Sequence, residues 1–116
     1  MLLTVLRAKI ANASVVEAEL YYEGSITVDE AILKNVGILP GEKVEILNIN
    51  TGSRIETYAI AGKENSGVIC LNGPAARSGC VGDKLIILSY GFMEEAEAKE
   101  YKAKVVYLDD QNKIKN

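Results

Sequence analysis

A small, mainly β, barrel-like domain with one or two short helices is the fold class that this chain of 116 residues predicts. Three observations lead there. Short apolar runs with period-two alternation recur along the chain, the mark of half-buried strands. A single segment, after Asp29, carries a full set of helix signals. A Gly-acid-Lys turn feeding an apolar strand occurs twice, as Gly41-Glu42-Lys43-Val44-Glu45-Ile46 and Gly82-Asp83-Lys84-Leu85-Ile86-Ile87, 41 residues apart (82 − 41). Two such units suggest a pseudo-symmetric barrel, and the length fits a single domain over 1–116.

The elements follow in order. Thr4 to Ile10 alternates around Leu6, Ala8 and Ile10, which puts Lys9 opposite the core-facing set. Val15, Val16 and Leu20 lead to Tyr21-Tyr22-Glu23-Gly24-Ser25, and Ile26 and Val28 continue as a strand. Asp29 is a good N-cap, and Val28 and Leu33 stand in the relation of a hydrophobic staple. Ile32, Leu33 and Val36 form the apolar stripe of a short helix, which Gly37 ends as a left-handed residue. Val44–Ile49, the turn Asn50-Thr51-Gly52 and Arg54–Ile60 read as a hairpin. Parity puts Arg54, Glu56 and Tyr58 on one face and Ile55, Thr57 and Ala59 on the other. Val68–Leu71 is a further strand, followed by Asn72-Gly73-Pro74-Ala75-Ala76-Arg77 and the buried-looking strand Leu85–Leu88. Glu94–Tyr101 suits one helical turn, Val105–Leu108 a late strand and Asp109–Asn116 a polar tail.

Composition excludes several function classes. The apolar fraction is 48% and the charged fraction 25%, ordinary for a globular chain and wrong for disorder. Thirteen basic against sixteen acidic residues give a net charge of −3, which argues against a nucleic-acid-binding face. Histidine is absent, so imidazole bases, Ser-His-Asp triads and His-ligated metals are absent too. Cys70 and Cys80 are too few for a disulfide scaffold, lack metal spacing and read as reduced thiols. No apolar run reaches the ~18 residues of a membrane span, and Met1–Ala13 lacks a signal-peptide pattern. A cytoplasmic protein with no metal, no membrane and no nucleic-acid partner is expected.

With no phosphate-binding glycine loop either, an enzyme here needs another electrophile. The candidate is Gly24-Ser25. A serine hydroxyl can attack the preceding carbonyl carbon and turn the amide into an ester. Glycine at that position tolerates strained or positive-φ geometry. β-Elimination then cuts the chain and leaves dehydroalanine. Hydrolysis releases ammonia and leaves a pyruvoyl group, a ketone able to form a Schiff base with an amine and to act as an electron sink. By spacing alone, Gly-Ser also reads as a plain turn.

Tyr22-Glu23-Gly24-Ser25-Ile26-Thr27 resembles the processing site of bacterial aspartate 1-decarboxylases, and the resemblance spans nearly the whole chain. Lys9 stands where that family has its early lysine. Asn50 to Ile60 resembles its N-x-G-x-R-x-x-T-Y segment, Leu71 to Arg77 its N-G-A-A-A segment, and Val81-Gly82-Asp83 its G-D turn. The resemblance implies a six-stranded double-psi β-barrel and a homotetramer with sites at subunit boundaries. It implies cleavage into 1–24 and 25–116, with a covalent pyruvoyl group formed from Ser25. The implied reaction converts L-aspartate to β-alanine and CO2, a step of pantothenate synthesis.

The resemblance also implies roles. Ser25 matches the serine that becomes the ketone, and Gly24 the new C-terminus. Tyr58 matches the proton donor, a role that suits a neutral phenol. Thr57 matches the residue that assists cleavage and borders the substrate. Lys9 and Arg54 match the cations for an acidic substrate, a point charge and a planar fork. Gly73, Pro74 and Ala75 match the stretch whose backbone lines the site, beside Asn72. Singly, these residues read as surface charges, strand residues and a turn, Cys70 as a core thiol, and Phe92 and Met93 as packing. Two positions depart from the family's pattern: Ala11, where histidine is frequent, and Pro74, where alanine is frequent. Proline lacks an N–H, so a backbone donor there falls to Gly73 or Ala75. A non-enzymatic barrel acting as an interaction module, and a proenzyme that waits for a maturation factor, are the competing readings.

Overall fold

A computed structural model describes residues 1–115. The strands are β1 (Leu2–Ser14), β2 (Glu17–Glu19), β3 (Ser25–Asp29), β4 (Lys43–Asn48), β5 (Arg54–Gly62), β6 (Ile69–Asn72), β7 (Lys84–Glu94), β8 (Lys104–Leu108) and β9 (Ile114–Lys115). Helix α1 (Glu30–Val36) follows β3, a 3-10 helix (Gly73–Arg77) follows β6, and α2 (Glu95–Glu100) follows β7.

The hydrogen-bonded order is β2-β6-β3-β5-β4-β7-β1-β8-β9. Its closure lies in the two residues between β1 and β2. Val15 N–H donates to Asp83 O (3.0 Å), before β7, and Val16 N–H donates to Ile69 O (2.9 Å) on β6. One continuous stretch therefore joins β7 to β6. Counting β1 and β2 as that stretch, six strands close a ring, as the expected barrel requires, and β8 and β9 hang outside on the free edge of β1. Closure removes the unpaired edges that an open sheet would expose.

The repeated turn shapes this ring. Gly82 N–H donates to Val15 O (2.9 Å) and Val15 N–H to Asp83 O (3.0 Å). In the same way, Gly41 N–H donates to Ala59 O (2.7 Å) and Ala59 N–H to Glu42 O (3.0 Å). On the antiparallel β4–β7 ladder Ile46 stands opposite Ile87, its own counterpart 41 residues on (87 − 46). On β3–β6, Val28 stands opposite Ile69 at the same offset (69 − 28). A residue facing its own counterpart on antiparallel strands lies on a local two-fold axis.

The ring is filled by Ile10, Ile26, Val28, Ile46, Ile69, Leu71, Leu85 and Ile87, all buried. At about 25 cal/mol per Å² of apolar area removed from water, this cluster is the main stabilising element. Helix α1 packs Ile32, Leu33 and Val36 onto it. Asp29 caps the helix by accepting from Ala31 N–H (2.9 Å), and the Gly37 residue, at φ +75°, lets Ile38 N–H reach Leu33 O (3.0 Å). These are the start and stop that the sequence predicts. No helix of the described residues is long and apolar enough to cross a membrane.

Four expectations change. β1 and β7 are longer than read, because their far ends pair with each other as a ribbon from Leu2–Glu94 to Leu6–Tyr90. Phe92 is 75% exposed on that ribbon, so it does not pack within the chain, whereas Met93 is buried. Asn72-Gly73 is more than a turn, since Gly73 opens the 3-10 helix Gly73–Arg77. The polar tail is a folded clasp: buried Asn112 donates to Ser14 O and Gly67 O (both 2.8 Å) and accepts from Ser14 N–H (2.8 Å). The last residue of that tail, Asn116, lies outside the described residues.

Candidate active site

The Gly24–Ser25 junction sits where the loop after β2 enters the barrel. Gly24 adopts φ +98°, a region that side chains rarely occupy. Gly73 adopts φ +62° and lies directly under it. A Cβ at Gly73 would press into Tyr22 O and would lie 2.6 Å from Gly24 N and 2.8 Å from Gly24 Cα. Only a residue without a side chain lets the start of the 3-10 helix approach the Gly24 backbone this closely. Pro74 borders the same junction, with its Cδ 3.5 Å from where a Cβ on Gly24 would be. It occupies the first turn of the 3-10 helix, where the missing N–H costs no helical bond.

Ser25 is fully buried and is paired with Asn72 on the β3–β6 ladder. Asn72 Nδ2 donates to Ser25 Oγ and to Thr27 Oγ1, both at 2.8 Å, and Cys70 Sγ–H donates to Asn72 Oδ1 at 3.2 Å. Burial, with the charges of Glu17 and Glu19, pushes the Cys70 thiol up, so it stays protonated. Both cysteines are free, Cys70 buried and Cys80 exposed.

Outside the junction lies an open cleft of about 410 Å³, lined by Glu23, Gly24, Ile55, Glu56, Thr57, Tyr58, Pro74, Ala75 and Ser78. β5 supplies Thr57 from its inner face and Tyr58, 40% exposed, from its outer face. The structure thus brings Gly24, Thr57, Tyr58, Pro74 and Ala75 to one cleft, with Ser25, Asn72 and Gly73 directly beneath. It does not bring Lys9 or Arg54 there. Lys9 lies on β1 between Leu88 of β7 and Val105 of β8. Arg54 is exposed, its Nη1 2.7 Å from Glu45 Oε1. Among the described residues, the cleft is lined by two carboxylates, Glu23 and Glu56, and by no cation. Ala11 is buried on β1, opposite Tyr107, with no polar atom to offer.

A family model described as aspartate decarboxylase matches residues 1–115. The chain belongs to the aspartate decarboxylase family. It is 55% identical to the aspartate 1-decarboxylase of Carboxydothermus hydrogenoformans over 98% of this chain and 90% of that relative. The enzyme of the same name from Clostridium beijerinckii is 55% identical over 99% and 93%, and that from Bacillus subtilis 55% identical over 96% and 87%. Membership in this decarboxylase family agrees with the resemblance read from the four motif segments.

Sequence reading gave no role to Thr27 and took Cys70 as a core thiol. The usable signal was parity: Ser25 and Thr27, like Cys70 and Asn72, are two apart, and such residues share a strand face.

Proposed function

We propose that this chain decarboxylates L-aspartate at its α-carboxylate, giving β-alanine and CO2, by means of a ketone made from its own Ser25. The observation that carries the reading is the junction itself: a positive-φ Gly24, a buried serine hydroxyl holding a side-chain donor, and a glycine that packs against the scissile backbone. Ser25 Oγ adds to the Gly24 carbonyl carbon, the Gly24–Ser25 C–N bond breaks, and an ester and a free amine result. Loss of the Ser25 Cα proton expels Gly24 as a carboxylate. One water then replaces the nitrogen, which leaves as ammonia.

The junction fits such a group, because Asn72 holds Ser25 Oγ while Gly73 and Pro74 lie against Gly24. When present, the ketone supplies an electron sink for the carbanion left by CO2. Thr57 borders the junction and assists cleavage. Tyr58, at the mouth of the cleft, returns the proton to that carbanion. Lys9 and Arg54 bind the substrate's carboxylates. Since the cleft of one chain has no lining cation, a neighbouring copy in a homotetramer supplies or completes that charge. Carboxylate recognition needs such partners, because Glu23 and Glu56 offer the two carboxylates of aspartate no donor.

The test is the intact mass of the purified protein with its activity. The expected result is two chains of 24 and 92 residues (116 − 24), the larger bearing a ketone that reacts with hydrazines. Ser25→Ala stays one chain and is inactive. Tyr58→Phe is cut normally but turns over slower by roughly 10²–10⁴-fold, the usual worth of a general acid. An uncut parent with full decarboxylation overturns the reading. An uncut, inactive parent points to maturation by a partner.

A further inference from the structure

The β3–β6 ladder sets Ser25 opposite Asn72 and Thr27 opposite Cys70. Residues directly opposite on an antiparallel pair project to the same side, so these four form one polar quartet behind the apolar pair Ile26 and Leu71. Ser25, Asn72 and Cys70 are all nearly or fully buried. The Asn72 amide therefore has its three neighbours and no bulk water to choose from.

An asparagine amide fits such a pocket in two ways, related by exchange of oxygen and nitrogen. Hydroxyls donate and accept, so Ser25 and Thr27 tolerate either orientation. A protonated thiol is a donor and only a weak acceptor, so Cys70 tolerates one. Among the acceptors near its sulfur, Asn72 Oδ1 at 3.2 Å is closer than Leu71 O at 3.9 Å or Glu17 Oε2 at 4.0 Å.

We infer that Cys70 is a positioning residue for cleavage at Ser25: its S–H holds Asn72 Oδ1, which turns both Nδ2 hydrogens onto Ser25 Oγ and Thr27 Oγ1. This rests on the reading that Ser25 cuts the chain. The orientation matters to that chemistry. Negative charge develops on Oγ when the hydroxyl loses its proton, and again when the same oxygen departs on the Gly24 carboxylate. An N–H aimed at Oγ stabilises both; an amide oxygen aimed there would repel both.

The experiment follows cleavage of newly synthesised full-length chain by intact mass, for the parent, Cys70→Ser and Cys70→Ala. Thermal unfolding of each variant is measured on an uncleavable Ser25→Ala background. Serine keeps a donor and alanine does not. Cys70→Ala is expected to cleave about five- to tenfold slower, the worth of one net hydrogen bond expressed as a rate. Cys70→Ser is expected to cleave at a rate between the parent and Cys70→Ala, since a hydroxyl still donates to Oδ1 but, accepting as well, no longer excludes the flipped amide. A merely structural role would make the rates follow thermal stability rather than the presence of a donor. Should Cys70→Ala not fold, Cys70→Thr against Cys70→Val gives the same contrast at equal volume. Cleavage at the parental rate without a donor, or equal slowing with and without one, overturns this inference alone. A parent that never cleaves overturns the reading on which it rests as well.

Discussion

In the β4–β7 ladder Ile46 faces Ile87 across the local two-fold, with buried Val44, Asn48 and Leu85 beside them. In the β3–β6 ladder Val28 faces Ile69 on the matching axis, and Ile26 and Leu71 fill the interior beside them. The inward faces are alike. The outward faces are not. On β4–β7 that face carries Glu45, ion-paired with Arg54, and the aliphatic Leu47, Ile86 and Leu88. On β3–β6 it carries Ser25, Thr27, Cys70 and Asn72, closed over by the 3-10 helix at Gly73. One backbone plan, used twice, carries an aliphatic, ion-paired outer face in one copy and a buried, hydrogen-bonded serine in the other. The difference teaches that the barrel's inward face is fixed by packing, while the outward face of a ladder is free to take on chemistry once something covers it.

The largest effect is expected at Gly73. Gly73→Ala forces a Cβ into Tyr22 O and the Gly24 backbone, so the junction must move. Cleavage should slow by about a hundredfold or more, since misplacement by 1 Å costs that order. A mass time course on the full chain checks it, and a parental rate would show that the close approach is dispensable.

Next comes the other ladder. Ile87→Ala removes most of a fully buried side chain and should cost about 2–5 kcal/mol, read from denaturant midpoints of the uncleaved Ser25→Ala background. In the otherwise unaltered chain, cleavage at Ser25 should still proceed in conditions where the variant is folded. Lost cleavage in a well-folded variant would show that the two ladders are coupled.

A third test separates the two related turns. Burial by itself would raise the Glu42 carboxyl, but hydrogen bonds from Ser89 Oγ and Leu39 N–H, with Arg7, outweigh it and hold it below the usual carboxylate range. The folded value lies below the unfolded one, so its stabilisation is present at neutral pH and is lost as pH falls through the folded value. Glu42→Gln should lower stability at pH 7 and flatten the acid limb of the stability curve. An acid limb identical to the parent's would remove Glu42 from acid unfolding.

The smallest effect belongs to Gly82. Its φ is +96°, yet a Cβ there meets nothing within 4 Å. Gly82→Ala should cost only the conformational penalty, about 1–2 kcal/mol, and leave cleavage intact. A loss as large as that at Gly73 would mean that positive φ, and not close approach, is what the junction needs.

Much of the fold was legible in the residues because its signals are local. Asp29 and Gly37 bound α1 through bonds to near neighbours, and the β4–β5 hairpin follows from alternation around Asn50-Thr51-Gly52. The Gly-acid-Lys echo also marked the barrel's repeated turns, where Gly41 and Gly82 both take positive φ and donate the matching backbone bonds. Phe92 was misread because an exposed aromatic and a packed one look the same in a strand pattern.

Of the site, the residues alone point to Ser25, to Gly24 before it and to the motif segments that travel with them, because those signals lie in short stretches of neighbouring residues. Tertiary structure alone decided which of them meet. Ring closure through Val15 and Val16 set β2 against β6, and the register of β3 on β6 placed Asn72 and Cys70 over Ser25 from more than forty residues away. It also left Lys9 and Arg54 outside the cleft of a single chain. Strand register is fixed by how whole faces pack and by long-range hydrogen bonds, and a one-residue slip would turn every side chain to the other face. No run of neighbouring residues carries that information.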